Sequence, residues 1–170
     1  VILSIPRDTR VEIPGHRQQK VAHAHAFGGR ELAMKTVSNF LGIPIHYYVR
    51  TNFEGFARII DILGGVKIDV PHDMYYEDPY QSLVIDLKKG EQVLSGDKAL
   101  QFVRFRRYPN GDIGRVEAQQ KFIKALIDQS FRFGTIFKLP DIAREVLKYV
   151  DTNMPPSSVM KYAAAAATSL

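Results

Sequence analysis

The residues best equipped for chemistry lie in one stretch, FVRFRRYPNGDIGRVEAQQ at positions 102–120. It gathers Arg104, Arg106, Arg107 and Arg115 with Asp112 and Gln119 around a Pro-Asn-Gly-Asp turn. Guanidinium groups bind phosphate oxygens in pairs, so arginine chosen over lysine favours a phosphorylated ligand over mere solubility. If FVRFR is extended, alternate side chains share a face, and Arg104 and Arg106 point the same way; the plainer alternative is an edge strand with solvated arginines. A helix expected to begin near Gly114 offers unpaired backbone N–H groups and the positive end of its dipole. Arg115 and Gln119 stand one turn apart on it, and Phe122 and Leu126 continue the same stripe. Such a face suits an amphiphile with a phosphate head. It also describes an ordinary core helix whose first turn emerges into water.

A second cationic group follows the opening apolar run. SIPRDTRVEIPG places Arg7, Asp8 and Arg10 at the end of an expected strand, with Lys20 shortly after, and ligands of open α/β sheets collect at the carboxyl ends of strands. His23 and His25 in VAHAHAFGG would chelate a metal only on an extended backbone; surface or hydrogen-bonded positions are the ordinary reading. Tyr75, Tyr76 and Tyr80 lie in a segment read as a polar loop, able to stack on sugar rings or to pack as a lid.

These groups must be carried by a framework. At 170 residues and 45% hydrophobic content the chain suits one domain, residues 1–170. A net charge of +5 favours anionic partners without choosing among nucleic acid, membrane and phosphorylated molecules. Cysteine is absent, which excludes disulfides and thiolate chemistry. Helix and strand signals alternate, predicting an α/β layered domain. VILSIP, VEIP, PIHYYVRTN, VKIDVP and FVRFR read as strands. Helices are expected at about 31–41, from Asn52 to Gly64-Gly65, at SGDKALQF, over GRVEAQQKFIKALIDQSFRF, and around LPDIAREVLKYV and PSSVMKYAAAAATSL.

SIPRDTRVEIPG, ELAMKTVSNFLGIPIHYYVRTNFEGFARIIDILGGVKIDVP, LKKGEQVLSGDKALQFVRFR and GDIGRVEAQQKFIKAL resemble, in order and spacing, the LytR-CpsA-Psr family. The resemblance implies a mixed central β-sheet flanked by helices in three α-β-α layers. It implies an extracytoplasmic phosphotransferase on the bacterial plasma membrane that moves a glycopolymer from polyprenyl-pyrophosphate to peptidoglycan, with Mg²⁺ as cofactor. It implies pyrophosphate contacts from Arg7, Lys20, Arg104, Arg106, Arg115 and Gln119, catalytic roles for Arg104, Arg106, Asp112 and Arg115, and lipid contact at Phe122 and Leu126. Asp112 is the candidate metal-associated residue, because the family's main Mg²⁺ ligands fall upstream of Val1. A strand opening at residue 1 is expected to mark a truncated domain whose N-terminal strands and membrane helix lie outside it. Two other classes are compatible with the charge: a DNA-binding regulator, for which no helix-turn-helix or zinc-finger spacing is present, and a lipid carrier without catalysis. Nucleic acid is not expected as a partner.

Overall fold

The structure is a computed structural model and describes residues 2–132, 140–159 and 161–162. It divides into two compact units, one of Val1–Arg50 with Thr152–Leu170 and one of Thr51–Asp151. The expected α/β class holds.

In the first unit, β1 (Arg10–Glu12) pairs antiparallel with β2 (Gln18–Lys20), Val11 opposite Gln19. Helix α1 (Val21–Leu41) follows at once. Its opening amides are satisfied locally, Val21 N–H donating to the Thr9 carbonyl at 2.8 Å and Ala22 N–H to the Arg7 carbonyl at 3.2 Å. Val11, Ile13 and Ala24 form a small core, against which Val21, Leu32 and Ala33 pack. The helix is broken at Gly28 and Gly29; Gly29 has φ 62° and ψ −155°, a conformation essentially confined to glycine. The residues after the break match the helix expected at 31–41. The turns before it were not anticipated.

The opening run differs from expectation. Ile2–Pro6 joins no ladder among the described residues, and Ile2 and Leu3 are 48% and 65% exposed. β-type residues become a strand only where an edge accepts them. PIHYYVRTN likewise yields only the two-residue β3 (Val49–Arg50).

The second unit starts with α2 (Phe53–Ile62), capped by the Asn52 side chain accepting from Gly55 N–H at 2.7 Å. It ends where Gly64 and Gly65, at φ 84° and 85°, turn their N–H groups back to the Asp61 and Ile60 carbonyls. β4 (Val66–Val70) buries Val66, Ile68 and Val70 and exposes Lys67 and Asp69, the alternation its sequence predicts. It pairs antiparallel with β7 (Gly90–Leu94).

The supposed tyrosine-rich loop is instead a hairpin. β5 (Met74–Asp78) pairs antiparallel with β6 (Leu83–Leu87) through a 3-10 turn at Pro79–Gln81. Met74, Ile85 and Leu87 bury from it.

Helix α3 (Gly96–Arg104) absorbs most of FVRFR. Ala99, Phe102 and the capping Phe105 are buried at spacings of three, and this helical period wins over the β-type composition. Arg104 is therefore the last residue of a helix, and the alternation that aligned Arg104 with Arg106 does not occur. Helix α4 (Asp112–Arg132) starts two residues before the expected Gly114. Beyond it lie α5 (Pro140–Leu147) and the two-residue β8 (Asp151–Thr152). Of the final expected helix, residues 156–159 and 161–162 are helical, and the alanine run lies outside the described residues.

Phe122 of α4 is fully buried with Phe102, Ile60, Val66 and Ile85 in the core of this unit, and Leu126 packs against that core. Burying such a side chain contributes about 1.5–3 kcal/mol. Two strand edges of this unit, those of β6 and β4, are met by side chains of helices. Gln101 and Lys98 of α3 take the backbone N–H and carbonyl of Asp86 in β6. Gln129 of α4 takes both groups of Lys67 in β4, and Lys121 takes the Asp69 carbonyl. An edge whose polar groups are occupied cannot template another strand.

Candidate functional site

The cationic segment runs from the end of α3 to the first turn of α4. Arg104 is half-buried and doubly held: its guanidinium carbon lies 4.5 Å from the centre of the Phe53 ring, and its Nη2 donates to Gln81 Oε1 at 3.2 Å. Arg106 is exposed in the connecting segment. Arg107 lies over the Tyr76 ring at 4.9 Å. Guanidiniums over aromatic faces keep their charge while giving up part of their hydration.

Tyr108 turns the chain, with Gly111 N–H donating to its carbonyl at 2.9 Å. An added Cβ at Gly114 would come within 2.6 Å of Tyr108 Cβ, so the turn packs directly on the helix. Asp112 occupies the first turn of α4, where a carboxylate is favoured by the dipole, and it accepts from Arg115 Nη2 at 3.1 Å. Arg115 is largely buried and Asp112 largely exposed, with side chains 19% and 79% accessible. The pair holds Arg115 in place at the helix start. Gln119 donates to the Val103 carbonyl at 3.0 Å, tying α4 to the end of α3.

Within the second unit, then, the expected residues Arg104, Arg106, Asp112, Arg115 and Gln119 fall on one continuous segment and the helix it opens. Asp112 and Arg115 are brought into contact. Phe122 and Leu126 continue the stripe into the core. Phe53, Gln81 and Tyr76 are partners of this segment that the sequence does not single out. The signal for Gln81 was present as Asp78-Pro79, since Asp before Pro starts capped turns.

Arg7 and Lys20 belong to the first unit. Arg7 is exposed in a turn closed by Thr9 N–H to the Pro6 carbonyl at 2.9 Å. Lys20 pairs with Asp8 at 2.8 Å, both side chains more than half exposed, so this pair contributes little to stability. His23 and His25 lie on helical backbone, where positions two apart do not face each other, and chelation by the pair is ruled out. His23 Nδ1 meets Gln19 Oε1 at 3.2 Å, and His25 Nε2 meets Arg50 Nη1 at 3.2 Å.

The model of the LytR_cpsA_psr family matches residues 1–169. The chain belongs to that family. Among similar LytR_cpsA_psr relatives, the polyisoprenyl-teichoic acid–peptidoglycan teichoic acid transferase TagV of Bacillus subtilis (strain 168) is 40% identical over 158 residues, covering 90% of this chain and 40% of the relative. The regulatory protein MsrR of Staphylococcus aureus (strain COL) is 39% identical over 162 residues, covering 94% of this chain and 48% of MsrR. The crystal structure of B. subtilis TagV matches with a TM-score of 0.83 at 36% identity, over 97% of this chain and 64% of that one. TagT bound to LI-WTA matches with a TM-score of 0.71 at 32% identity, over 93% of this chain and 58% of that one. The chain spans about half the length of the curated relatives it matches.

The Mg²⁺ that the family resemblance implies asks for several oxygen ligands. Among the described residues no three His, Asp or Glu side chains gather in a way that would hold a metal ion, and Asp112 is already engaged by Arg115. Mg²⁺ is commonly held by one or two carboxylates together with substrate phosphates, and no chemical step is derived through it.

Proposed function

We propose that this chain carries the pyrophosphate-binding part of a glycopolymer phosphotransferase acting at the extracytoplasmic face of the bacterial plasma membrane. The observation that carries the reading is Arg115, largely buried at the start of α4 and held by Asp112, on the same segment as Arg104 and Arg106. Family membership and the teichoic acid transferase name of TagV support it.

In the proposed reaction a hydroxyl of peptidoglycan attacks the phosphorus that carries the glycopolymer. A new P–O bond forms, the P–O bond to polyprenyl phosphate breaks, and polyprenyl phosphate leaves with the electron pair; the hydroxyl proton passes to solvent or a base. Charge grows on the bridging oxygen as that bond breaks. Fixed guanidiniums offset it at no cost of reorientation. Arg7 and Lys20 are proposed as further phosphate contacts, and dependence on Mg²⁺ is proposed from the family resemblance alone.

The test is transfer of a polyprenyl-pyrophosphate-linked glycan to peptidoglycan by the full-length protein, with and without chelator, for wild type, Arg104→Ala and Arg115→Ala. Each substitution is expected to raise the barrier by about 2–4 kcal/mol. Undiminished transfer by both variants would overturn the reading.

A further inference from the structure

We infer that Gln81, itself oriented by Asp78, is a positioning residue for the Arg104 guanidinium; this rests on the reading of Arg104 as a phosphate contact. Arg104 sits at the end of α3 on a long, rotamer-rich side chain, which free in water would sample many orientations. Two contacts restrict it. The Phe53 ring supports one face at 4.5 Å, and Gln81 Oε1 accepts from Nη2 at 3.2 Å. The first holds the guanidinium against Phe53, the opening residue of α2. The second directs Nη2 toward the β5–β6 turn.

An amide can present either oxygen or nitrogen, and only its oxygen can accept from a cation. The choice is made by Asp78: Gln81 Nε2 donates to Asp78 Oδ2 at 2.6 Å, which leaves Oε1 for Arg104. A flipped amide would set NH₂ against the guanidinium and oxygen against the carboxylate, two repulsive contacts in place of two attractive ones.

Asp78 is anchored in turn. Its other oxygen, Oδ1, accepts from Tyr80 N–H at 3.0 Å and Gln81 N–H at 3.3 Å, capping the turn that Pro79 begins. Ser82 closes the turn at φ 47° and ψ 39°, the one positive φ outside glycine among the described residues. That conformation costs about 1 kcal/mol for a residue with a Cβ. The relay therefore runs from the β5–β6 hairpin through Asp78 and Gln81 to a cation of α3.

The test measures binding of geranylgeranyl pyrophosphate to the full chain by calorimetry for wild type, Gln81→Ala, Arg104→Ala and the double variant. Gln81→Ala is expected to weaken binding by about tenfold, the worth of one hydrogen bond to a charged group. In the Arg104→Ala background it is expected to cost nothing further. Nitrogen-15 spectra of ligand-free protein should show Arg104 side-chain N–H signals, present in wild type, broadened or lost in Gln81→Ala.

Unchanged affinity in Arg104→Ala removes the phosphate-contact reading and this inference together. Weakened binding in Arg104→Ala with unchanged binding in Gln81→Ala, or additive losses in the double variant, removes only the positioning role. If alanine lowers the urea midpoint, Gln81→Met, which keeps the side-chain stem and deletes the acceptor, replaces it with the same expectations.

Discussion

The Gln129 side-chain amide accepts from Lys67 N–H at 2.8 Å and donates to the Lys67 carbonyl at 2.9 Å, so one residue of a helix stands where a neighbouring strand would be. Gln129→Ala leaves both backbone groups to water and is expected to destabilise the second unit by about 1–3 kcal/mol. Urea unfolding reads the loss. Hydrogen exchange at the Lys67 amide should speed up more than at Ile68, which keeps its place in the ladder with Gln92; equal rates would speak against the sealed edge.

Gly96→Ala reverses the sign that helix propensity gives. Propensity alone favours alanine by about 1 kcal/mol. Here the added Cβ would lie 2.2 Å from the Ala57 carbonyl oxygen, a backbone atom of α2 that has little room to yield. Gly96 N–H also donates to Asp61 Oδ1 at 2.7 Å, drawing the helices together. A net loss of about 1–3 kcal/mol is expected in thermal or urea unfolding.

Phe122 and Arg115 share a helical stripe and should separate by experiment. Phe122→Ala removes a fully buried ring beside Phe56 and Phe102 and is expected to cost about 3–5 kcal/mol of stability. Arg115→Ala breaks a pair whose carboxylate is solvated, so stability should fall by about 1 kcal/mol or less while pyrophosphate-lipid affinity drops. A Phe122→Ala protein with an unshifted melt would contradict its place in the core.

Burial pushes the Tyr108 phenol up to about 12, and its hydroxyl has no hydrogen-bond partner in the structure. The unfolded phenol ionises near 10. With the folded value the higher of the two, the stabilising contribution is complete below pH 10 and is lost as pH rises to about 12. Tyr108→Phe should be as stable as wild type or more so at neutral pH, because an unsatisfied polar group is removed. Its urea midpoint should also fall less between pH 10 and 12.

Where a segment's local signals agreed, its structure was legible in advance. Asn52, the Phe56-Ile59-Ile60-Leu63 stripe and Gly64-Gly65 all point to α2, and the alternation of VKIDV points to a strand with one buried face. Where two periods compete, composition misled: Phe102, Val103 and Phe105 look β-like, yet Ala99, Phe102 and Phe105 bury at a spacing of three. HDMYYEDPYQS has the polar composition of a loop, yet Met74 and Tyr76 alternate opposite Leu87 and Ile85 across the hairpin. The arginines of the candidate site could be picked out by residue type. Asp78-Pro79 signals the turn that carries Gln81, but nothing local joins Gln81 or Phe53 to Arg104, because they meet it only through the folding together of distant segments.

The glycine pair that breaks α1 invites a reading as softness. With Gly29 at φ 62° and ψ −155°, a corner of conformational space closed to other residues, it behaves as an elbow set at one angle. Substituting Gly29 by any side-chain-bearing residue would straighten the joint or strain it. The element is thus two short levers with separate dipoles, the second of which starts its own positive end at Arg30.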